Sequence, residues 1–235
     1  PESSNPSNIQ PSTSNESSGH HDHSHEPTKE SSSHSHSQSV EDVSLEKNPV
    51  HSISFKNKAF LYAQISPDGK TIYLVKQTLN HPNDIYSFDL KTRKLKQLTD
   101  INGELLAGLE MNPAEDFYFD SEGDKIHGLL LRPPFFDPAK KYPLLLLIHG
   151  GPQNAWQDEF HYRWNAQMMA APGYVVALVN FHGSPGYGQA FTDSISGDWG
   201  GKPYHDLINA VDFLRENYTF IDKDKLGAAG ASYGG

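Results

Sequence analysis

The chain of 235 residues carries a formal net charge of −10, contains no cysteine, and is 36% hydrophobic. The lack of cysteine excludes disulfides, iron–sulfur clusters and thiolate zinc sites within this stretch. No basic block points to nucleic acid, and no apolar run approaches the roughly 18 residues a membrane span needs.

The charge is unevenly placed. Residues 1–50 hold eight acids against Lys29 and Lys47, a balance of −6. Ser, Pro, Asn, His and Glu dominate this stretch, and its only aliphatics larger than alanine are Ile9, Val40, Val43, Leu45 and Val50. Such a segment cannot bury enough apolar surface to offset the entropy of ordering it, so residues 1–50 are expected to be disordered. His20, His21, His23, His25, His34 and His36 cluster there. Closely spaced imidazoles can chelate a transition metal. With no apolar frame to fix the rings, the expectation is a solvated low-complexity tract, and no metal site is assigned to it. The chain opens at Pro1 with no initiator Met and no signal-like apolar segment, which fits an internal or processed start.

From residue 51 the pattern changes to short strands. Phe60-Leu61-Tyr62-Ala63 precedes the turn Ser66-Pro67-Asp68-Gly69-Lys70, where Pro presets φ and Gly supplies φ > 0. Thr71 to Val75 reads as a strand. Ile85 to Leu90 and Leu95 to Thr99 flank the tight turn Lys91-Thr92-Arg93-Lys94, a hairpin. Four short strands in about 40 residues are the size of one β-propeller blade, and propellers close with roughly four to eight. Residues 51–112 are therefore expected to be the last blade or blades of a propeller whose others lie upstream.

Residues 113–235 read as α/β. Phe117-Tyr118-Phe119 and Ile126 to Leu131 form a second hairpin around Ser121-Glu122-Gly123-Asp124. Leu144 to Ile148 and Val175 to Val179 are continuous apolar runs, as expected of strands buried on both faces of a largely parallel sheet. Trp156 to Ala171 between them reads as helix. Leu207, Ile208, Val211 and Leu214 recur at helical spacing behind Pro203, and Leu226 to Ala229 supplies another strand. The chain closes on Gly230-Ala231-Ser232-Tyr233-Gly234-Gly235, a G-x-S-x-G pattern directly after that strand. This is the setting of a nucleophile elbow, where a strained strand-to-helix turn lifts a serine Oγ out of the sheet. The glycines are needed because side chains there would collide across so sharp a turn. At the end of an earlier strand stands His149-Gly150-Gly151-Pro152, placed to offer a backbone N–H to an oxyanion. Ser232 is the candidate nucleophile, with Gly151 and Tyr233 the candidate oxyanion donors. His149 precedes the nucleophile in the chain, so it is read as shaping the loop rather than as the base.

These residues resemble the acylaminoacyl-peptidase and dipeptidyl-peptidase branch of the prolyl oligopeptidase superfamily, with the dipeptidyl-peptidase V type nearest. The resemblance rests on Tyr142 to Gln153, Gly173 to Val176, Asn180 to Gly188, Trp199 to Leu207 and Gly230 to Gly235, and so covers about residues 115–235. It implies a secreted serine peptidase that cleaves short peptides beneath a propeller cap and uses no cofactor. It also implies a triad Asp and His beyond Gly235, and hence a hydrolase domain cut at its elbow that would be inactive alone. One departure stands at His182, where family members often carry arginine. His is largely neutral at the usual pH, which puts the contact of that arginine in question. Asp206 matches an acid that the family places on the following helix and is read as structural. Two alternatives share parts of the pattern: an esterase or lipase, with the same elbow and His-Gly-Gly loop, and a non-enzymatic interaction or metal-binding module. A propeller cap would separate a peptidase from an ordinary esterase.

Overall fold

The computed structural model describes residues 59–235. The chain divides into two units, 1–43 and 44–235, and all described residues belong to the second. The expected disorder of residues 1–50 and the histidine tract lie outside the described residues.

Four strands form an antiparallel meander in chain order: β1 (Ala59–Ile65), β2 (Thr71–Thr78), β3 (His81–Asp89) and β4 (Leu95–Gln97). The β1–β2 turn is built by its side chains. Ser66 Oγ donates to Asp68 Oδ1 at 2.7 Å, and Gly69 takes a φ of +69° that a larger residue would resist. In the β3–β4 turn the Asp89 carboxylate accepts from the Thr92 N–H at 2.6 Å. Leu74, Tyr86 and Phe88 bury one face of this sheet.

A short helix, α1 (Gly103–Leu106), leads to a second sheet of five strands: β5 (Glu115–Ser121), β6 (Asp124–Leu131), β7 (Tyr142–Ile148), β8 (Val175–Asn180) and β9 (Ile221–Gly230). Their spatial order is β5-β6-β8-β7-β9. The β5–β6 and β6–β8 pairs are antiparallel, and β8–β7 and β7–β9 are parallel. Parallel strands need crossovers, and helices α2 (Ala166–Ala170), α3 (Gln189–Asp193) and α4 (Lys202–Asn217) lie in them.

Both faces of this sheet are covered. Phe117, Phe119, Ile126, Leu144 and Leu146 pack with Leu207, Ala210 and Leu214 of α4 on one face. Leu129, Leu131, Leu147, Val176 and Leu178 pack with Ala166 and Ala170 of α2 on the other. Every residue of β8 is buried, which explains its unbroken apolar run. Each fully buried Leu or Val contributes roughly 1.5–3 kcal/mol. β9 lies at the sheet edge, and its residues 223–230 are exposed.

One expected helix is largely absent. Only Ala166–Ala170 of the stretch 156–171 is helical, with Asn165 as its N-cap accepting from the Gln167 and Met168 N–H groups. The backbone before it is bonded elsewhere. The Trp156 N–H donates to Asn180 Oδ1, the Phe160 N–H to Gln77 Oε1, and the Arg163 and Trp164 N–H groups to His161 Nδ1. Side-chain acceptors have taken the donors that a helix would use.

Candidate active site

β7 and β9 run side by side with Ile148 opposite Gly230, so the loops that follow them meet at one end of the sheet. After β9 the chain passes through extended Ala231, with φ −151° and ψ 162°, into a 3-10 turn over Ser232–Gly234. Ser232 itself has φ +60°. A non-glycine residue in this left-handed region costs about 1–2 kcal/mol, and persists only where the surroundings enforce it. The turn is closed by the Gly234 N–H on the Ala231 carbonyl at 3.1 Å and the Gly235 N–H on the Ser232 carbonyl at 3.2 Å. The spacing of the glycines follows from contact. A Cβ on Gly230 would overlap the Gly234 carbonyl, and one on Gly234 would overlap the Ile148 carbonyl.

The facing loop would put a side chain in van der Waals contact with the serine. A Cβ on Gly150 would stand 3.4 Å from Ser232 Cβ and 3.8 Å from Ser232 Oγ. Gly151 has φ +123°, and a Cβ there would fall 2.6 Å from the Gln153 nitrogen. Sequence reasoning named Gly151 and treated Gly150 only as its neighbour. Gly150 is the residue of this loop that faces Ser232, and a side chain there would press on the Ala231 carbonyl at 3.3 Å.

His149 is 3% exposed and both its ring nitrogens are engaged. A neutral ring protonated at Nδ1 satisfies both contacts: it donates to the Gly150 carbonyl at 2.8 Å and accepts at Nε2 from Ser184 Oγ–H at 3.1 Å. Burial lowers its pKa to about 4, against the raising effect of the Gly150 carbonyl. This ring braces the glycine loop. It stacks on Phe181 with centroids 4.0 Å apart, and Phe181 in turn lies 5.6 Å from the Tyr233 ring. The Tyr233 hydroxyl donates to the Trp199 carbonyl, and burial, then Asp198 and Asp206, raise its pKa.

His182, where the contact of the family's arginine was in question, is fully buried with both nitrogens facing carboxylates. Nδ1 is 2.7 Å from Asp206 Oδ2, and Nε2 is 3.0 Å from Asp124 Oδ2. Asp206 Oδ2 also accepts the His182 backbone N–H at 2.7 Å, so this acid ties α4 to the loop after β8. Neither partner is near His182 in sequence, and only the fold brings them together.

A cavity of about 390 Å³ opens beside the elbow. Ser232, Gly150 and Gly151 line it, with Trp156, Glu159, His161, Arg163 and Trp164 from the segment that is not helical. The Tyr233 side chain turns away toward Trp199. The wall residues 156–164 were missed in the sequence, where their one available signal was a run of aromatic and charged residues without a clear apolar stripe. Away from the cavity, His81, Asp84 and Asp100 each bring a possible ligand atom within 4.8 Å of one another. Asp84 there is occupied by Thr99 Oγ1, the Ile101 N–H and Gln97.

The model of the prolyl oligopeptidase family matches residues 160–235. The chain is 39% identical over 170 residues to dipeptidyl-peptidase 5 of Schizosaccharomyces pombe, covering 72% of this chain and 24% of that relative. It is 45% identical over 143 residues to dipeptidyl-peptidase 5 of Aspergillus fumigatus, covering 61% and 20%. The chain thus spans about a quarter or less of the length of these curated relatives. Among solved structures it resembles the acylaminoacyl peptidase of Pyrococcus horikoshii, with TM-score 0.66 and 27% identity over 77% of this chain and 28% of that one.

Proposed function

We propose that the whole protein is a serine peptidase of the prolyl oligopeptidase family with Ser232 as nucleophile, since residues 160–235 match that family's model. The observation that carries this reading is the left-handed Ser232 at the end of β9, against Gly150 and at the edge of a cavity of about 390 Å³. In this reading residues 113–235 form part of an α/β-hydrolase domain. The meander β1–β4 is a blade of a capping propeller within residues 51–112, supported by its size and by its antiparallel order.

The chemistry is acyl transfer. Ser232 Oγ attacks the carbonyl of a peptide bond while its proton passes to a general base, which in this fold follows the nucleophile in chain order. His149 and His182 are both committed to other partners. The Gly151 and Tyr233 backbone N–H groups hold the oxyanion, each contributing roughly 3–4 kcal/mol to the transition state. The amine leaves with a proton, and water then hydrolyses the acyl-serine. The relatives' names favour substrates that lose a short N-terminal peptide or an acylated residue.

The test is hydrolysis by the purified whole protein of three substrates: a dipeptide nitroanilide with a free amine, an N-acetylated aminoacyl nitroanilide, and a nitrophenyl ester. Turnover of either amide that is lost in Ser232→Ala is the expected result. Turnover of the ester alone would replace the peptidase reading with an esterase.

A further inference from the structure

A chain of polar side chains crosses the second sheet and ends on the wall of the Ser232 cavity. His127 on β6 sits opposite Asn180 on β8. Its Nε2–H donates to Asp116 Oδ1 at 2.9 Å, which leaves Nδ1 to accept the Tyr187 O–H at 2.6 Å. The Tyr187 oxygen accepts from Asn180 Nδ2 at 2.8 Å. Fully buried Asn180 then grips the Trp156 backbone twice: Oδ1 accepts the Trp156 N–H at 2.7 Å, and Nδ2 donates to the Trp156 carbonyl at 3.1 Å. With the donors arranged in this way each bond has one donor and one acceptor. Desolvation raises the pKa of the Tyr187 hydroxyl to about 12, and a tyrosine hydroxyl is in any case protonated, and so a donor, at neutral pH.

Trp156 is also fixed at its indole. Its Nε1–H donates to the Leu147 carbonyl at 3.2 Å, and its ring stands edge-on to His149 at 6.2 Å. It lines two cavities, the one that holds Ser232 and a second of about 310 Å³ that Tyr187 and His127 line from the other side. A substrate side chain next to the scissile bond would meet this indole.

We propose that Tyr187 and Asn180 are positioning residues that set the substrate-binding wall of the Ser232 cavity by acting through Trp156. The proposal rests on the peptidase reading above. Asn180 at the centre of this network is fully buried while Tyr187 is partly exposed, and removal of the tyrosine hydroxyl leaves His127 Nδ1 and Asn180 Nδ2 only their direct 3.3 Å contact in place of two shorter bonds. Tyr187→Phe keeps the ring and removes only that hydroxyl. Its effect belongs in substrate binding, because nothing in the chain touches Ser232 or the oxyanion donors.

The experiment is a double-mutant cycle on the whole protein with Tyr187→Phe and Trp156→Ala, with Trp156→Phe closing the same cycle if the alanine variant does not fold. Active sites are first counted by fluorophosphonate titration. If the wild-type protein gives no Ser232 adduct, the peptidase reading itself fails, whatever the variants do. With that adduct present, Tyr187→Phe is expected to raise KM for a peptide nitroanilide about threefold to tenfold while kcat stays within twofold. In the Trp156 background the same substitution should change KM by less than twofold. A fall in kcat at constant KM, no change in either, or fully additive KM effects would each overturn the proposal.

Discussion

At the residue scale the site depends on groups that hold backbone rather than on groups that react. His149 shows this most clearly. Its folded-state pKa of about 4 lies below the usual 6.5 because burial disfavours the charged ring. As pH falls through 6.5 the unfolded chain takes up a proton that the folded chain refuses. The associated stability is therefore full above pH 6.5 and lost progressively toward pH 4, about 3 kcal/mol in all. His149→Gln keeps a donor and an acceptor but does not titrate. Denaturant unfolding of the two proteins between pH 7 and pH 4 should show a steeper loss in the wild type. Equal slopes would mean that the ring is not buried neutral against Gly150.

At the element scale the strand-to-turn geometry of the elbow decides what its sequence tolerates. Gly234 faces the Ile148 backbone, which cannot swing aside as a flexible side chain would. Gly234→Ala should cost about 1–3 kcal/mol by overpacking, read as a lower urea midpoint with an unchanged slope. An unchanged midpoint would show that the turn is looser than described. Much of this layer was legible in the sequence. The apolar runs at Leu144 to Ile148 and Val175 to Val179 are β7 and β8, the hairpin around Ser121 to Asp124 joins β5 to β6, and the spacing behind Pro203 is α4. The reading failed at Trp156 to Asn165, where local propensity cannot see that Asn180 and Gln77 claim the backbone donors. Nor could spacing reveal the partners of His182, which lie 24 and 58 residues away. For the candidate site, the position of Ser232 after a strand was legible from the pattern. The contact between Gly150 and Ser232 was not, because it joins loops more than 80 residues apart.

At the scale of the described molecule the cavity wall is hung between two sheets. The Leu79 N–H, in the β2–β3 connection, donates to Asp158 Oδ1 at 2.6 Å, and the Leu79 side chain enters the core beside Leu129 and Leu178. Gln77 Oε1 accepts the Phe160 N–H at 3.3 Å, and Asn180 holds Trp156 from the opposite side. The meander thus does more than precede the α/β sheet. It supports the segment that walls the serine, which explains why that segment gives up helix for a fixed, irregular path. The account depends on this assembly presenting one activated hydroxyl. The direct measurement is to treat the whole protein with a fluorophosphonate probe and map the adduct by peptide mass. The account predicts modification of Ser232 Oγ and its loss in Ser232→Ala. An adduct on another serine, with Ser232 unmodified, would contradict it.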